Sequence, residues 1–352
     1  MCFLFFCGQK TRSNQSIIIN NRNPKQFIVF LLIVISGILP ISAQDSLLLD
    51  SIKTDARDIG SVRSLLIEQN DSLLAEFYFN GREPDLPFNI KSASKSIIGL
   101  LVGIAINEGF IPSVDEPIST YFPEYFEQYP DSVKESITIK NLLTMQAGLR
   151  STSSGNYGAW VLSDNWVEFA LKQNFEEEIG GRMVYSTGSS HLLSVIITRA
   201  SGLSTKKFAE SYLFRPLGIR VGGWEKDPQG YYMGGNNIAL TPQDLLKIGR
   251  LLLNDGKEDD RQIIPKDWIT DSFRSYTTSR YNPYGYGYQW WNHTVADTRV
   301  FFAWGHGGQY IFMIPEYDAV VVITSSVTAE SRLRTYKEPI FDLLEKIITS
   351  AL

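Results

Sequence analysis

The sequence predicts an α+β fold: one antiparallel sheet built from both ends of the chain, flanked by terminal helices, with a mostly helical domain inserted between. Three observations lead there. Apolar runs of strand length occur within 64–78 and return from 286 onward. The stretch between, about 110–265, carries helical spacing in segments closed by glycines. Finally, 352 residues at 43% hydrophobic and 20% charged content are enough for one large domain or two ordinary ones.

The N-terminal stretch stands apart from that pattern. Residues 1–26 hold Lys10, Arg12, Arg22 and Lys25 and no acid, Phe27–Leu39 is almost purely apolar, and Ile41-Ser42-Ala43 follows. A basic region, an apolar core and a small-residue site read as a signal peptide over 1–43, cut between Ala43 and Gln44. The expected product is an exported protein, periplasmic or secreted. An uncleaved N-terminal anchor is the alternative and the only membrane association expected. Cleavage removes Cys2 and Cys7, the only cysteines, so the mature chain 44–352 would hold no disulfide.

Ser64–Gln69 and Leu73–Tyr78 flank Asn70-Asp71 and read as a β-hairpin. Ser92–Asn107 follows, with Ile97, Ile98, Leu101, Ile104 and Ala105 at helical spacing and Gly109 just past its end. Further helices are expected at Ile139–Gln146, Ser190–Ala200 and Pro242–Asn254, each followed by a glycine. Strands are expected at Tyr288–Asn292, Arg299–Trp304, Gln309–Ile314 and Ala319–Ser325, the last two joined through Pro315–Asp318, and Glu338–Ile348 closes the chain as a helix. The sheet lobe would comprise about 44–108 and 266–352, the helical lobe about 109–265, with a cleft between them.

Composition narrows the chemistry. A net charge of −5 without a Lys/Arg run gives no footing for nucleic acid. Three scattered histidines and two N-terminal cysteines do not make a zinc cluster, and no metal or organic cofactor is implied. No G-x-S-x-G elbow occurs. The pattern S-x-x-K occurs twice, at Ser92–Lys95 and Ser204–Lys207. Ser204 precedes a polar first turn and is explained as a helix N-cap. Ser92 opens a strongly apolar helix with Lys95 one turn on, which reads either as an ordinary helix start with a solvated lysine or as a nucleophile beside its base. In the second reading, burial lowers the lysine pKa and the neutral amine takes the serine proton.

Two further segments complete a constellation. Gly180–Gly188 places Tyr185 at a helix entrance, where a phenol near the lysine could pass a proton to the leaving atom, its pKa lowered by the lysine charge. Trp304-Gly305-His306-Gly307-Gly308-Gln309 is a glycine-rich strand turn, where the N–H groups of Gln309 and Ser92 could hold an oxyanion. Tyr157, Trp160, Trp166, Tyr231, Tyr232, Tyr284, Tyr286 and Trp304 line a broad aromatic cleft or fill the core.

Taken in order, Ser-x-x-Lys, Tyr-Ser-x and His-x-Gly resemble the serine β-lactamase and penicillin-binding group. The nearest likeness is to the class C β-lactamase-related set of esterases, DD-peptidases and 6-aminohexanoate-oligomer hydrolases. The segments Ile137–Leu149, Ala239–Leu245, Tyr286–Trp291 and Gly305–Tyr310 extend the likeness along the mature chain. The resemblance implies Ser92 as acylated nucleophile, Lys95 as general base and Tyr185 as proton relay. It implies Gln309, His306, Gly307, Gly308 and Thr187 as oxyanion and substrate-binding positions. Thr187 stands where the family usually has Asn, and His306 where many members have Lys, removing a permanent charge. Both changes favour an ester or amide substrate, with a cell-wall peptide or a β-lactam as the alternative. A non-catalytic binder on the same scaffold is a third reading.

Overall fold

The computed structural model describes residues 43–327 and 337–352. The expected export segment lies outside the described residues except for Ala43, which begins a helix over Ala43–Asp58.

Strands β1 (Val62–Gln69) and β2 (Ser72–Tyr78) form the expected hairpin. Its two-residue turn sets Asn70 at φ 48° and Asp71 at φ 58°, a left-handed pair that these two residue types tolerate. Short strands β3 (Phe88–Asn89), β4 (Gly223–Trp224) and β5 (Ile238–Leu240) make a small antiparallel sheet in the order β3-β5-β4. A two-stranded ribbon, β6 (Lys257–Glu258) and β7 (Arg261–Gln262), follows. Strands β8 (Thr277–Thr278), β9 (Gly285–Tyr286), β10 (Trp291–Val295), β11 (Thr298–Gly305), β12 (Gln309–Ile314) and β13 (Ala319–Ser325) complete the main sheet. Its order is β2-β1-β13-β12-β11-β10-β9-β8, and every pairing is antiparallel. The N-terminal hairpin joins the C-terminal meander through β1 and β13, as expected for a sheet drawn from both chain ends.

Every residue of β12 and β13 is buried because both faces of the sheet are covered. The period of two divides them. Leu65, Ile67, Val321 and Ile323 face Ile52, Leu343 and Ile347 of the terminal helices. Leu66, Ile311, Val320 and Val322 join the second core, with the helices Ser94–Asn107 and Pro242–Leu253. The closing helix spans Lys337–Ser350.

The Ser94–Asn107 helix is the axis of this second core: all of Ser94–Ala105 is buried, which suits its almost wholly apolar sequence. Two glycines let neighbours approach it. A side chain at Gly99 would meet Tyr288 O at 2.7 Å, and one at Gly103 would collide with the Trp268 ring.

Several boundaries differ from the sequence reading. The helix expected from Ser190 begins at Thr187, and the one expected to reach Gln146 ends at Leu143, because Met145 takes a left-handed φ of 59°. Residues 287–290 form a turn instead of the start of a strand. Gly287 N–H donates to Trp290 O, Gln289 sits at φ 67°, and β10 starts only at Trp291. The Pro242–Leu253 helix, assigned by sequence to the helical lobe, lies on the main sheet. Gly249 leaves room for Val320, and Arg250 reaches Glu68 on β1 and Asp318 in the turn before β13.

Candidate active site

The small sheet positions the first group. Asn89 on β3 pairs with Ala239 on β5 in antiparallel register. The turn that carries Ser92 therefore starts beside the chain leading into β5, and Gly235 of that chain reaches Lys95 Nζ. Ile90 N–H continues the pairing to Ile238 O at 3.0 Å, and Ser94 Oγ accepts from Ile238 N–H at 3.2 Å. Between them Lys91 takes φ 54°, held by a 2.8 Å bond from its N–H to Asn89 Oδ1, and a 3₁₀ turn over Lys91–Ala93 carries Ser92 into the helix.

Lys95 is 1% exposed. Its Nζ lies 3.2 Å from Ser92 Oγ, 3.3 Å from Thr187 Oγ1 and 2.6 Å from Gly235 O. Among the described residues no carboxylate stands within ion-pair distance of it. Burial alone drives its pKa down from 10.5 to about 7, so the amine is substantially neutral at neutral pH.

Tyr185, Ser186 and Thr187 are pinned by the strap Ser151-Thr152-Ser153 in a constant register. Ser151 Oγ donates to Tyr185 O at 2.6 Å, Thr152 N–H donates to Ser186 Oγ at 3.2 Å, and Thr187 N–H donates to Ser153 Oγ at 2.9 Å. The Tyr185 ring stacks on Trp291 at 5.7 Å, Lys95 Nζ sits 5.0 Å from its centroid, and the Ser92 hydroxyl acts to lower its pKa. The expected lowering of its pKa does not occur. Burial raises it, outweighing the lowering by Ser92. The phenol stays protonated.

Gly305 brings the third segment alongside. Its α-carbon passes so close to Ile90 O that any side chain would collide, which packs the end of β11 against the chain entering Ser92. Gly307 and Gly308, at φ 85° and 97°, make the tight turn to β12. His306 is exposed at this turn. The Gln309 side chain is buried and committed elsewhere, bonding Ser325 O at 2.8 Å and Ser325 N–H at 3.0 Å, so only its main chain faces other duties. Lys95 thus touches Ser92, Thr187 and the face of Tyr185, with 305–309 packed on the same segment.

Ser204 is elsewhere. Its Oγ accepts from Lys207 N–H at 3.3 Å and caps the Thr205–Ala209 helix. Much of the expected aromatic lining is core: Trp160, Trp166, Tyr284 and Tyr286 are buried, and Tyr157, Tyr231, Tyr232 and Trp304 are half-buried. Two contributors were not singled out from sequence. Gly235 supplies the lysine's shortest contact. Gln289 accepts from Ser190 Oγ at 2.6 Å and donates to Leu143 O at 2.7 Å, while its carbonyl accepts from Ser96 Oγ at 2.7 Å, so it ties three helices behind the site. The signal for the first was the Gly234-Gly235 pair. A lone Gln carries no sequence signal.

The chain matches the Beta-lactamase family model over residues 77–340. It is 25% identical over 295 residues to the 6-aminohexanoate-dimer hydrolase of Paenarthrobacter ureafaciens, covering 75% of this chain and 72% of that one. Among solved structures, EstCE1, a hydrolase with promiscuous acyltransferase activity, superposes at TM-score 0.71 with 17% identity, over 86% of this chain and 98% of its own. The octameric penicillin-binding protein homologue from Pyrococcus abyssi superposes at TM-score 0.67 with 18% identity, over 87% and 77%. These structures share the fold, and the family match spans most of the chain. This chain belongs to the Beta-lactamase family and is a serine hydrolase.

Proposed function

We propose that this chain hydrolyses an ester or small amide through an acyl-enzyme on Ser92, and that it works outside the cytoplasm. The observation that carries the chemistry is the buried, carboxylate-free Lys95 amine 3.2 Å from Ser92 Oγ. A lysine held near pKa 7 by burial accepts a proton at neutral pH, which a solvated lysine does not.

In the proposed cycle Ser92 Oγ attacks the substrate carbonyl as its proton passes to Lys95 Nζ. The N–H groups of Ser92 and Gln309 take the developing oxyanion. The proton travels from Lys95 by way of the Tyr185 hydroxyl to the leaving alkoxide or amine as the carbonyl–leaving-group bond breaks. Water then attacks the acyl-enzyme, gives its proton up the same path, and Ser92 is regenerated with release of the acid.

Thr187 supports an ester or simple amide over a β-lactam. Its hydroxyl lies 2.8 Å from Ser153 Oγ and 3.3 Å from Lys95 Nζ, so it is occupied within the protein and carries no amide group to offer a substrate. His306 presents an imidazole at the exposed turn where a substrate carboxylate would otherwise meet a fixed positive charge. The extracytoplasmic location rests on the sequence of residues 1–43 alone.

The test is turnover of p-nitrophenyl esters and labelling by a fluorophosphonate in wild type and Ser92→Ala. The proposal expects both to vanish in the variant. Stable acylation of Ser92 by labelled penicillin would instead favour the cell-wall peptide reading.

A further inference from the structure

His191 and Asp227 form a buried pair outside the Ser92, Lys95 and Tyr185 group. Both side chains are fully buried, with His191 Nε2 3.0 Å from Asp227 Oδ2. On its other edge the imidazole Nδ1 accepts from Gly234 N–H at 3.4 Å. These contacts fix the tautomer. Nδ1 must be unprotonated to accept the amide, so Nε2 carries the hydrogen and donates it to the carboxylate. The second carboxylate oxygen accepts from Tyr231 N–H at 2.8 Å, and Asp227 N–H donates to Tyr231 O at 2.8 Å, closing the turn that leads into Gly234. Trp160 and Trp166 pack edge-on against the imidazole at 5.7 and 5.5 Å and exclude water from it.

The pair sits where two supports of Lys95 meet. His191 lies one turn beyond Thr187 on the Thr187–Ser201 helix, and Thr187 Oγ1 touches Lys95 Nζ. Gly234, the residue His191 grips, precedes Gly235, whose carbonyl holds the same nitrogen at 2.6 Å. The segment is pressed on the helix so closely that a side chain at Gly234 would strike Ser190 O. A polar pair of this kind is costly to bury unless all its bonds are met, as they are here. We propose that His191 and Asp227 are a positioning pair, which sets the Lys95 nitrogen against Ser92 by fixing the Gly234–Gly235 backbone. The inference rests on the reading of Lys95 as the general base.

The test measures kcat, KM and the acidic limb of kcat/KM with a p-nitrophenyl ester, beside a thermal melt, for Asp227→Asn, His191→Asn and His191→Leu. A displaced Gly235 leaves Lys95 less well placed and less shielded. Variants that melt cooperatively should lose about 100-fold in kcat with KM nearly unchanged. Their acidic limb should move upward, as water reaches the amine. His191→Asn sets an amide oxygen near the Nδ1 position and should recover at least about tenfold over His191→Leu by regaining the Gly234 bond. Folded variants with wild-type kcat and an unmoved limb overturn the proposal. A second readout needs no variant: nitrogen chemical shifts of the imidazoles in the ¹⁵N-histidine-labelled wild-type protein, which has three histidines to assign. The proposal requires the Nε2–H tautomer of His191, and the Nδ1–H tautomer overturns it. Turnover that survives Ser92→Ala would remove the catalytic reading beneath this proposal while leaving the tautomer result standing, so the two failures are told apart.

Discussion

Lys95 Nζ and Gly235 O are 2.6 Å apart, and Gly235 is the residue whose missing side chain makes that contact available. A Cβ there would lie 2.5 Å from Thr187 Cγ2, 2.8 Å from Thr187 O and 3.3 Å from Lys95 Nζ. Two of these three atoms belong to Thr187 at a helix start, where the backbone cannot yield cheaply. Gly235→Ala is therefore expected to push the segment off the lysine and lower kcat about 100-fold with a cooperative melt retained. Steady-state kinetics beside a melting curve check this.

The pH profile follows from the same lysine. As the proposed base it must be neutral, so kcat/KM should fall as pH drops through about 7. Tyr185 is raised by burial and remains a phenol across this range, so it adds no limb near neutrality. A pH–rate profile on an ester whose leaving group does not titrate in the window reads both points.

Lys95 also costs stability. Its folded pKa of about 7 lies below the 10.5 of a solvated lysine, so between those values the unfolded chain binds a proton the folded chain lacks. That penalty is fully present below about pH 7 and fades as pH climbs toward 10.5. Lys95→Met removes it and should raise Tm by about 5 °C at pH 7, less at pH 10, while abolishing turnover. Melts of both proteins at the two pH values check the sign.

Ser204→Ala tests the other S-x-x-K. It removes one helix cap, at about 1 kcal/mol, and should leave ester turnover and labelling unchanged. A chemical denaturation curve and a labelling gel suffice.

What was legible in the sequence, and what was not, divides on a physical line. The Asn70-Asp71 turn, the β12 and β13 strands and the apolar helix after Ser92 announce themselves because local pattern and tertiary role agree. Gln289 does not. Its left-handed backbone and three helix ties are demanded by neighbours from far along the chain, and the apolar-aromatic run around it imitates a strand. The Pro242–Leu253 helix is plain in sequence, but its attachment to the sheet depends on the gap at Gly249 and the reach of Arg250, which no periodicity encodes. The direction of the Tyr185 shift was equally hidden. It depends on burial exceeding charge, and the burial of one aromatic belongs to its folded surroundings. The pairing of Ser151–Ser153 with Tyr185–Thr187, 34 residues on, is a tertiary register of small hydroxyls with no periodic signature.

The most direct measurement of the central claim is mass-spectrometric mapping of a fluorophosphonate adduct, made at pH 8 and again at pH 5, on wild type and on Lys95→Met. The account predicts a single adduct on Ser92, formed fast at pH 8, slowly at pH 5 where Lys95 is protonated, and hardly at all without the amine. An adduct on any other serine, or labelling of Ser92 at equal rates with and without Lys95, would contradict it.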